Sequence, residues 1–318
     1  MVPRVSIIIA VGVPGSHLDE CVAHCLALDY PDFEIIVLPD GEWTPPDPSI
    51  RVIPTGKVRP AEKRDLGVKE STGEIVALID DDAYPDPGWF SAAVRHFEEP
   101  SVAAVGGPGM TPPGDTLRRQ ISGWIYESPL VSGGYTYRYR PGRLRDVDDY
   151  PTSSLIIRKE DFERIGGFDT RYWPGEDTIL CLKLTEIHGK RIVYDPAVRV
   201  YHHRREIFAG HLRQIRSYAL HRGFFARKFP ATSLKPGYFA PSLFTLFFLF
   251  GWIAGFLWAP LFSVWLAVMA LYGILTLLFS LRTANPAGIS GVFFGTFLTH
   301  ITYGIWFIAG LMTLELVD

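Results

Sequence analysis

Disulfide chemistry has little to work with here, because the 318 residues include only three cysteines. Cys21 and Cys25 stand four apart in a segment of helical pattern and share a face, but no further ligand set accompanies them. They read as small buried hydrophobes. An excess of one charge is also missing. With 31 Lys and Arg against 34 Asp and Glu, the net charge is -3 and the pI about 6.3, which argues against nucleic acid as a partner. No internal repeat is visible. A secretory leader is not evident either, since Val5 to Val11 is a short strand-like run without a cleavage pattern.

The sharpest absence is local. From Pro236 to Ser280 there is no charged residue, a stretch of 45 positions. As one helix it would be about 68 Å long, roughly twice a hydrocarbon core. Two crossings broken near Ala259-Pro260 are therefore expected. A third apolar stretch runs from Ile289 to Leu314, interrupted by His300, which would meet a neighbouring helix or a lipid headgroup. Arg222, Arg227, Lys228 and Lys235 precede the first crossing, Arg282 follows the second, and the link between them is uncharged. Basic flanks stay inside. The expectation is a multi-pass protein of the cell (inner) membrane with its N-terminal domain in the cytoplasm.

Before that region, strand and helix patterns alternate. Val5–Val11, Phe33–Leu38, Ile50–Ile53, Glu74–Ile79 and Val102–Val105 read as strands. Ser16 is placed to cap the first helix, Pro60 opens another and Pro87 a third. This order predicts a mostly parallel α/β sheet with right-handed crossovers. Tyr135 to Arg145 mixes aromatic and basic residues without periodicity, as a mobile loop gripping phosphate or sugar would. From Arg205 to Lys228 the pattern is helical and basic, suited either to the headgroup layer or to packing on the N-terminal domain.

The chain's chemistry centres on Asp80-Asp81-Asp82, three carboxylates ending an apolar strand. Adjacent negative charges repel one another unless water or a cation surrounds them, and in open α/β sheets ligands bind at carboxyl strand ends. Hard oxygen donors suit Mg²⁺ or Mn²⁺ with a substrate phosphate completing the shell. Glu176 and Asp177 open a further helix, where capping alone would explain them. His202 and His203 are ligands or simply surface residues, and both readings stay open at this point.

In this order and spacing the motifs resemble glycosyltransferase family 2, over roughly residues 3 to 205. The pieces are Val5–Val11 with its helix, Asp40-Gly41, Arg64, Asp80-Asp81-Asp82 followed by Pro85-x-Pro87-x-Trp89, Gly166-Gly167-Phe168-Asp169, Gly175-Glu176-Asp177 and Tyr201-His202-His203. The resemblance implies the GT-A fold, Rossmann-like, followed here by an all-α transmembrane region. The domains would be a nucleotide-sugar domain over 1–204, an interfacial basic segment over 205–235 and about three membrane helices over 236–318. It further implies that Asp40 reads the nucleobase, that Lys63 and Arg64 steady ribose and diphosphate, and that Asp80 and Asp81 touch the donor. Asp82, Asp80 and His202 (or His203) would hold Mn²⁺ or Mg²⁺. Asp177 would be the base, with Glu176 orienting the acceptor and Trp173 and Gly107 on the acceptor side.

Several positions depart from the family pattern. Ala10-Val11-Gly12-Val13 follows the first strand, Pro39 replaces the first of a frequent Asp pair, and Asp65 stands where Asn is usual. Gln214 and Arg216 only faintly resemble the Gln-x-x-Arg-Trp motif of processive synthases. The expected function is inverting transfer of a sugar, from a UDP-sugar in preference to other nucleotide diphosphates, to a lipid-linked or membrane-proximal glycan hydroxyl. Membrane lipids, and an oligomeric assembly, are compatible partners. The alternatives are a polyprenyl-phosphate glycosyltransferase, a processive polysaccharide synthase subunit and a non-catalytic membrane scaffold.

Overall fold

Strand β1 (Val5–Ala10) sets the frame of the first of two compact units, in a computed structural model that describes residues 2–169 and 171–316. All six of its residues are buried, because helices cover both faces of a parallel sheet and leave no side for polar alternation. Helix α1 (Ser16–Leu26) follows and buries Leu18, Cys21, Val22 and Cys25. Gly15, rather than the expected Ser16, takes the capping position, and no side chain caps the helix. Next come β2 (Phe33–Leu38), β3 (Arg51–Val52), α2 (Pro60–Glu70), β4 (Ile75–Asp80), β5 (Ala83–Pro85) and α3 (Trp89–Val94).

Beyond these lie β6 (Val102–Gly106), β7 (Gly109–Met110), α4 (Leu117–Glu127), α5 (Pro129–Ser132), β8 (Arg145–Val147) and β9 (Ser154–Arg158). The unit closes with α6 (Lys159–Arg164), α7 (Glu176–Leu182), β10 (Arg191–Tyr194) and β11 (Val200–His202). It comprises residues 2–112 and 137–203, whereas 113–136, and with them α4 and α5, group with the C-terminal unit.

The main sheet has the order β3-β2-β1-β4-β9-β6-β10-β8. Strands β3, β2, β1 and β4 are mutually parallel, while β9 runs antiparallel between β4 and β6, and β8 antiparallel to β10. The sheet is thus mixed on its second half. Ala10 at the end of β1 pairs with Leu38 on one side and Asp80 on the other. Strand order reverses between β1 and β4, so their carboxyl ends open a crevice suited to a ligand. The apolar core beneath includes Ile7, Ile9, Val37, Ala77, Ile79 and Trp89. Each fully buried aliphatic side chain of this kind contributes about 1.5–3 kcal/mol.

A second sheet, β5-β11-β7, begins directly after the acid cluster at Ala83, which pairs with His202. Residues of the expected mobile loop are instead built into the unit. Arg138 bonds the Asp149 carbonyl at 2.5 Å, Tyr137 packs edge-on against Tyr194 at 4.8 Å, and Arg145 lies in β8 with its guanidinium over Tyr137. These cations are used to hold the fold.

The second unit, residues 113–136 and 204–316, consists of helices. Besides α4 and α5 it contains α8 (Ala209–Lys228), α9 (Pro230–Ser233), α10 (Pro236–Phe250), α11 (Ala259–Ser280) and α12 (Pro286–Met312). Three spans, Pro236–Phe256, Ala259–Thr283 and Pro286–Met312, are long and apolar enough to cross a membrane. Basic helix α8 packs on α12. Cβ atoms added at Gly223 and Gly310 would lie 2.1 Å from the carbonyl oxygens of Phe307 and Leu220 respectively, so the two backbones touch at reciprocal glycines. His211 of α8 is buried between Ser122 Oγ at 2.7 Å and Thr299 Oγ1 at 2.9 Å, and desolvation pushes it down to about 4, leaving the ring neutral. His300 meets protein partners, Tyr272 Oη at 2.8 Å and the Leu130 carbonyl at 2.9 Å.

Candidate functional site

Three strand ends of the first unit bring the chemistry together. After β2, Asp40 is approached by Lys63 of α2 at 2.5 Å. The Lys63 ammonium also donates to the carbonyls of Val11, at 2.5 Å, and Leu38, at 3.3 Å. Its three donors thus have three oxygens, and the side chain is 3% exposed. Lys63 therefore ties the ends of β1 and β2 to Asp40. Asp40 lines an open cleft of about 520 Å³ together with Lys57, Arg59, Glu62 and Trp173. Trp173, expected on the acceptor side, thus faces the same cleft as the expected base-reading acid, with half of its surface exposed.

Arg64 is the keystone beside it. Its guanidinium donates to Asp80 Oδ1 at 2.7 Å and to Glu176 Oε1 at 3.2 Å, joining the end of β4 to the start of α7. Burial works against the charge, yet Asp80 and Glu176 outweigh it and hold the Arg64 pKa above its ordinary value. Glu176 is itself buried, with Oε2 accepting from the Gly175 amide at 3.0 Å. Removing one member of a buried pair of this kind costs about 3–5 kcal/mol, because it strands the other charge. The Nε of Arg64 has no hydrogen-bond partner among the described residues.

The chain enters α7 through Gly175 at φ +127°, which an L side chain would resist. That turn presents Glu176 inward to Arg64 and leaves Asp177 half-buried, with Oδ1 accepting from the Thr178 amide at 2.7 Å. The acids of this first turn therefore do more than cap. One is locked in an ion pair and the other stays partly exposed.

Asp80, Asp82 and His202 converge at the end of β4, their donor atoms all within 4.8 Å of one another. His202 Nε2 lies 3.1 Å from Asp82 Oδ1. Two carboxylates and one imidazole fit a divalent cation of the Mn²⁺ or Mg²⁺ type with room for further oxygen ligands. Asp81 is half-buried between them in sequence. His203 goes elsewhere, its Nε2 lying 2.8 Å from Glu20 Oε2 of α1. His202 ends β11, and His203 lies just beyond the strand. Gly107 is buried, with its carbonyl accepting from Tyr150 at 2.7 Å, and a Cβ there would sit 1.6 Å from the Val198 oxygen. Backbone approach explains that glycine.

Three features escaped the sequence reading. Arg59 and Lys57 line the Asp40 cleft, and only their position just before Pro60 hinted at it. His17 and Glu20 share a helix face, but nothing in the sequence pointed to His203 as their neighbour. Asp65 accepts from the Phe168 amide at 3.1 Å, tying α2 to the Gly166-Gly167 turn, and burial pushes its carboxyl up to about 6.

A family description, glycosyl transferase family 2, matches residues 6–166, about half of the chain. A pre-mycofactocin glycosyltransferase of Mycobacterium tuberculosis is 31% identical over 147 residues, which is 46% of this chain and 30% of that protein. A glucosyl-dolichyl phosphate glucuronosyltransferase of Haloferax volcanii is 26% identical over 156 residues, 44% of this chain and 46% of that one. The chain thus spans less than half the length of these relatives. In fold it is similar to a mannosyltransferase of Pyrobaculum calidifontis solved with GDP-Man and Mn²⁺, at a TM-score of 0.57 and 20% identity, covering 98% of this chain and 88% of that one. With residues 6–166 matched and the β4 acid cluster in place, the chain belongs to glycosyl transferase family 2.

Proposed function

We propose that this protein is a membrane-anchored, metal-dependent inverting glycosyltransferase that moves one sugar from a nucleotide diphosphate to a hydroxyl of a lipid-linked or membrane-proximal glycan. One observation carries the reading: Arg64 links the Asp80, Asp82 and His202 cluster to the helix turn bearing Asp177. Donor and acceptor chemistry are thereby brought to one crevice. The GDP-Man bound in the solved neighbour supports a nucleotide-sugar donor, and the name of the Haloferax protein supports a lipid-linked acceptor.

Asp40, aimed by Lys63, reads the base in the cleft that Arg59 and Trp173 border. A divalent cation held by Asp80, Asp82 and His202 would supply positive charge for the departing diphosphate. Asp177 accepts the proton of the acceptor hydroxyl as its oxygen bonds to the anomeric carbon. The bond from that carbon to the diphosphate breaks on the opposite face, so the nucleoside diphosphate leaves and the configuration inverts. Glu176, pinned by Arg64, holds the turn that sets the Asp177 position.

The three long apolar helices cross the inner membrane in this reading. Arg222, Arg227, Lys228, Lys235 and Arg282 flank the spans, and the tendency of such basic flanks to stay inside supports a cytoplasmic first unit. Transfer assays on the full chain in detergent, with sugar nucleotides and lipid-linked glycan acceptors, test the proposal. Asp177→Asn should lower transfer to a hydroxyl about 10²–10⁴-fold while leaving donor binding intact. Transfer that survives this change would mean an acceptor already anionic, such as a polyprenyl phosphate, and would overturn the hydroxyl reading.

A further inference from the structure

We infer that His17, Glu20 and His203 form a second cation site that prefers a transition metal such as Zn²⁺, separate from the Asp80–Asp82 cluster. His17 and Glu20 stand three apart on α1, so both project from one face toward the strand end that carries His203. The donor atoms of the three all lie within 4.8 Å of one another. Glu20 Oε2 is 2.8 Å from His203 Nε2 and 4.0 Å from His17 Nδ1, and the two imidazole centroids are 4.4 Å apart. Ligands of a tetrahedral zinc stand roughly 3.3 Å from one another, given zinc bonds of about 2.0–2.1 Å to nitrogen and oxygen. The observed separations bracket that value. A small turn of His17, whose side chain is 37% exposed, brings the set to it.

The donor sets of the two clusters differ in kind. Asp80, Asp82 and His202 offer two carboxylates and one imidazole, whereas His17, Glu20 and His203 offer two imidazoles and one carboxylate. Imidazole donors favour zinc, nickel and copper, and hard oxygen donors favour magnesium and manganese. Three protein ligands leave a fourth position for water. The two clusters are also mechanically joined. His203 follows His202 directly, and its amide donates to the Asp82 carbonyl at 3.0 Å. A metal on the second cluster therefore clamps α1 to the end of β11 and steadies the backbone of two residues in the first. The inference stands independently of the donor and acceptor assigned above.

The test is metal binding by the full chain in detergent after EDTA treatment. Co²⁺ titration followed by its visible d–d bands, and Zn²⁺ titration followed by metal analysis after gel filtration, give the stoichiometry. The unaltered chain should retain one equivalent of Zn²⁺ that His17→Ala and Glu20→Gln each lose and that Asp82→Asn keeps. Both substituted side chains are at least 37% exposed, so folding should survive, and a retained thermal transition confirms it. Zinc X-ray absorption on the unaltered chain at one equivalent gives a readout without mutation and should count two imidazoles. Equal zinc retention in His17→Ala and the unaltered chain, one imidazole per zinc, or no retained zinc would each overturn the inference and leave an ordinary His–Glu hydrogen bond.

Discussion

Asp177 and Glu176 are neighbours in sequence with different environments, and the proposed roles follow that difference. Glu176 is buried against Arg64 at 3.2 Å, while Asp177 is half-buried at the turn. A base must be reachable by the proton it takes, so Asp177→Asn is expected to lower transfer about 10²–10⁴-fold, the usual contribution of a positioned base. Steady-state kinetics should show that loss in kcat with donor affinity unchanged. Asp65 gives a pH prediction. Its folded value of about 6 lies above the ordinary carboxylate value, so the fold binds its proton more tightly than the unfolded chain does. Stability is then greatest below the unfolded pKa, falls as pH rises through the folded one, and stays lower above it. Asp65→Asn, which keeps an acceptor for the Phe168 amide, should raise thermal stability above pH 6 by about 1 kcal/mol, allowing for solvent at this half-buried group, with no gain near pH 4. Thermal unfolding at the two pH values checks it. Residue types were legible at the site, but partners were not. Lys63 and Arg64 were legible as cations suited to ribose and diphosphate, but not their contacts with Asp40, 23 positions back, and Glu176, 112 positions ahead, because sequence separation does not reveal proximity in the fold.

At the scale of elements, the parallel half of the first unit was readable because its strands are unbroken apolar runs bounded by Gly, Pro and acids. The antiparallel insertion of β9 between β4 and β6 was not readable, since direction within a sheet leaves little local trace. The same holds for Tyr135–Arg145, whose charges looked available until Asp149 and Tyr137 appeared as their partners. Helix α8 carried two open readings, and within the second unit it packs closely on α12 at Gly223 and Gly310. Gly310→Leu would drive a side chain into the Leu220 carbonyl, already 2.1 Å from an ideal Cβ. We predict a loss of a few kcal/mol from overpacking. It should appear as a lowered thermal transition in detergent, with nucleotide binding by the first unit retained.

Across the whole molecule, charge is partitioned by function. The first unit gathers acids at the carboxyl ends of its strands, where Asp40 and Asp80 pair with the buried cations Lys63 and Arg64. The second unit has three spans without a charged residue except Arg282 at the end of one. An overall charge of -3 conceals both facts, which is why local absence was more informative than composition. The central claim is that the Asp80–Asp82 end of the sheet binds a nucleotide diphosphate through a divalent cation. Thermal unfolding of the full chain with UDP, GDP, dTDP or CDP, each with Mn²⁺ and then with excess EDTA, tests it most directly. The account predicts that one diphosphate raises the transition with Mn²⁺, that EDTA removes the effect, and that Asp82→Asn never shows it. A chain that no diphosphate stabilises in the presence of Mn²⁺, or one stabilised equally with EDTA, would contradict it.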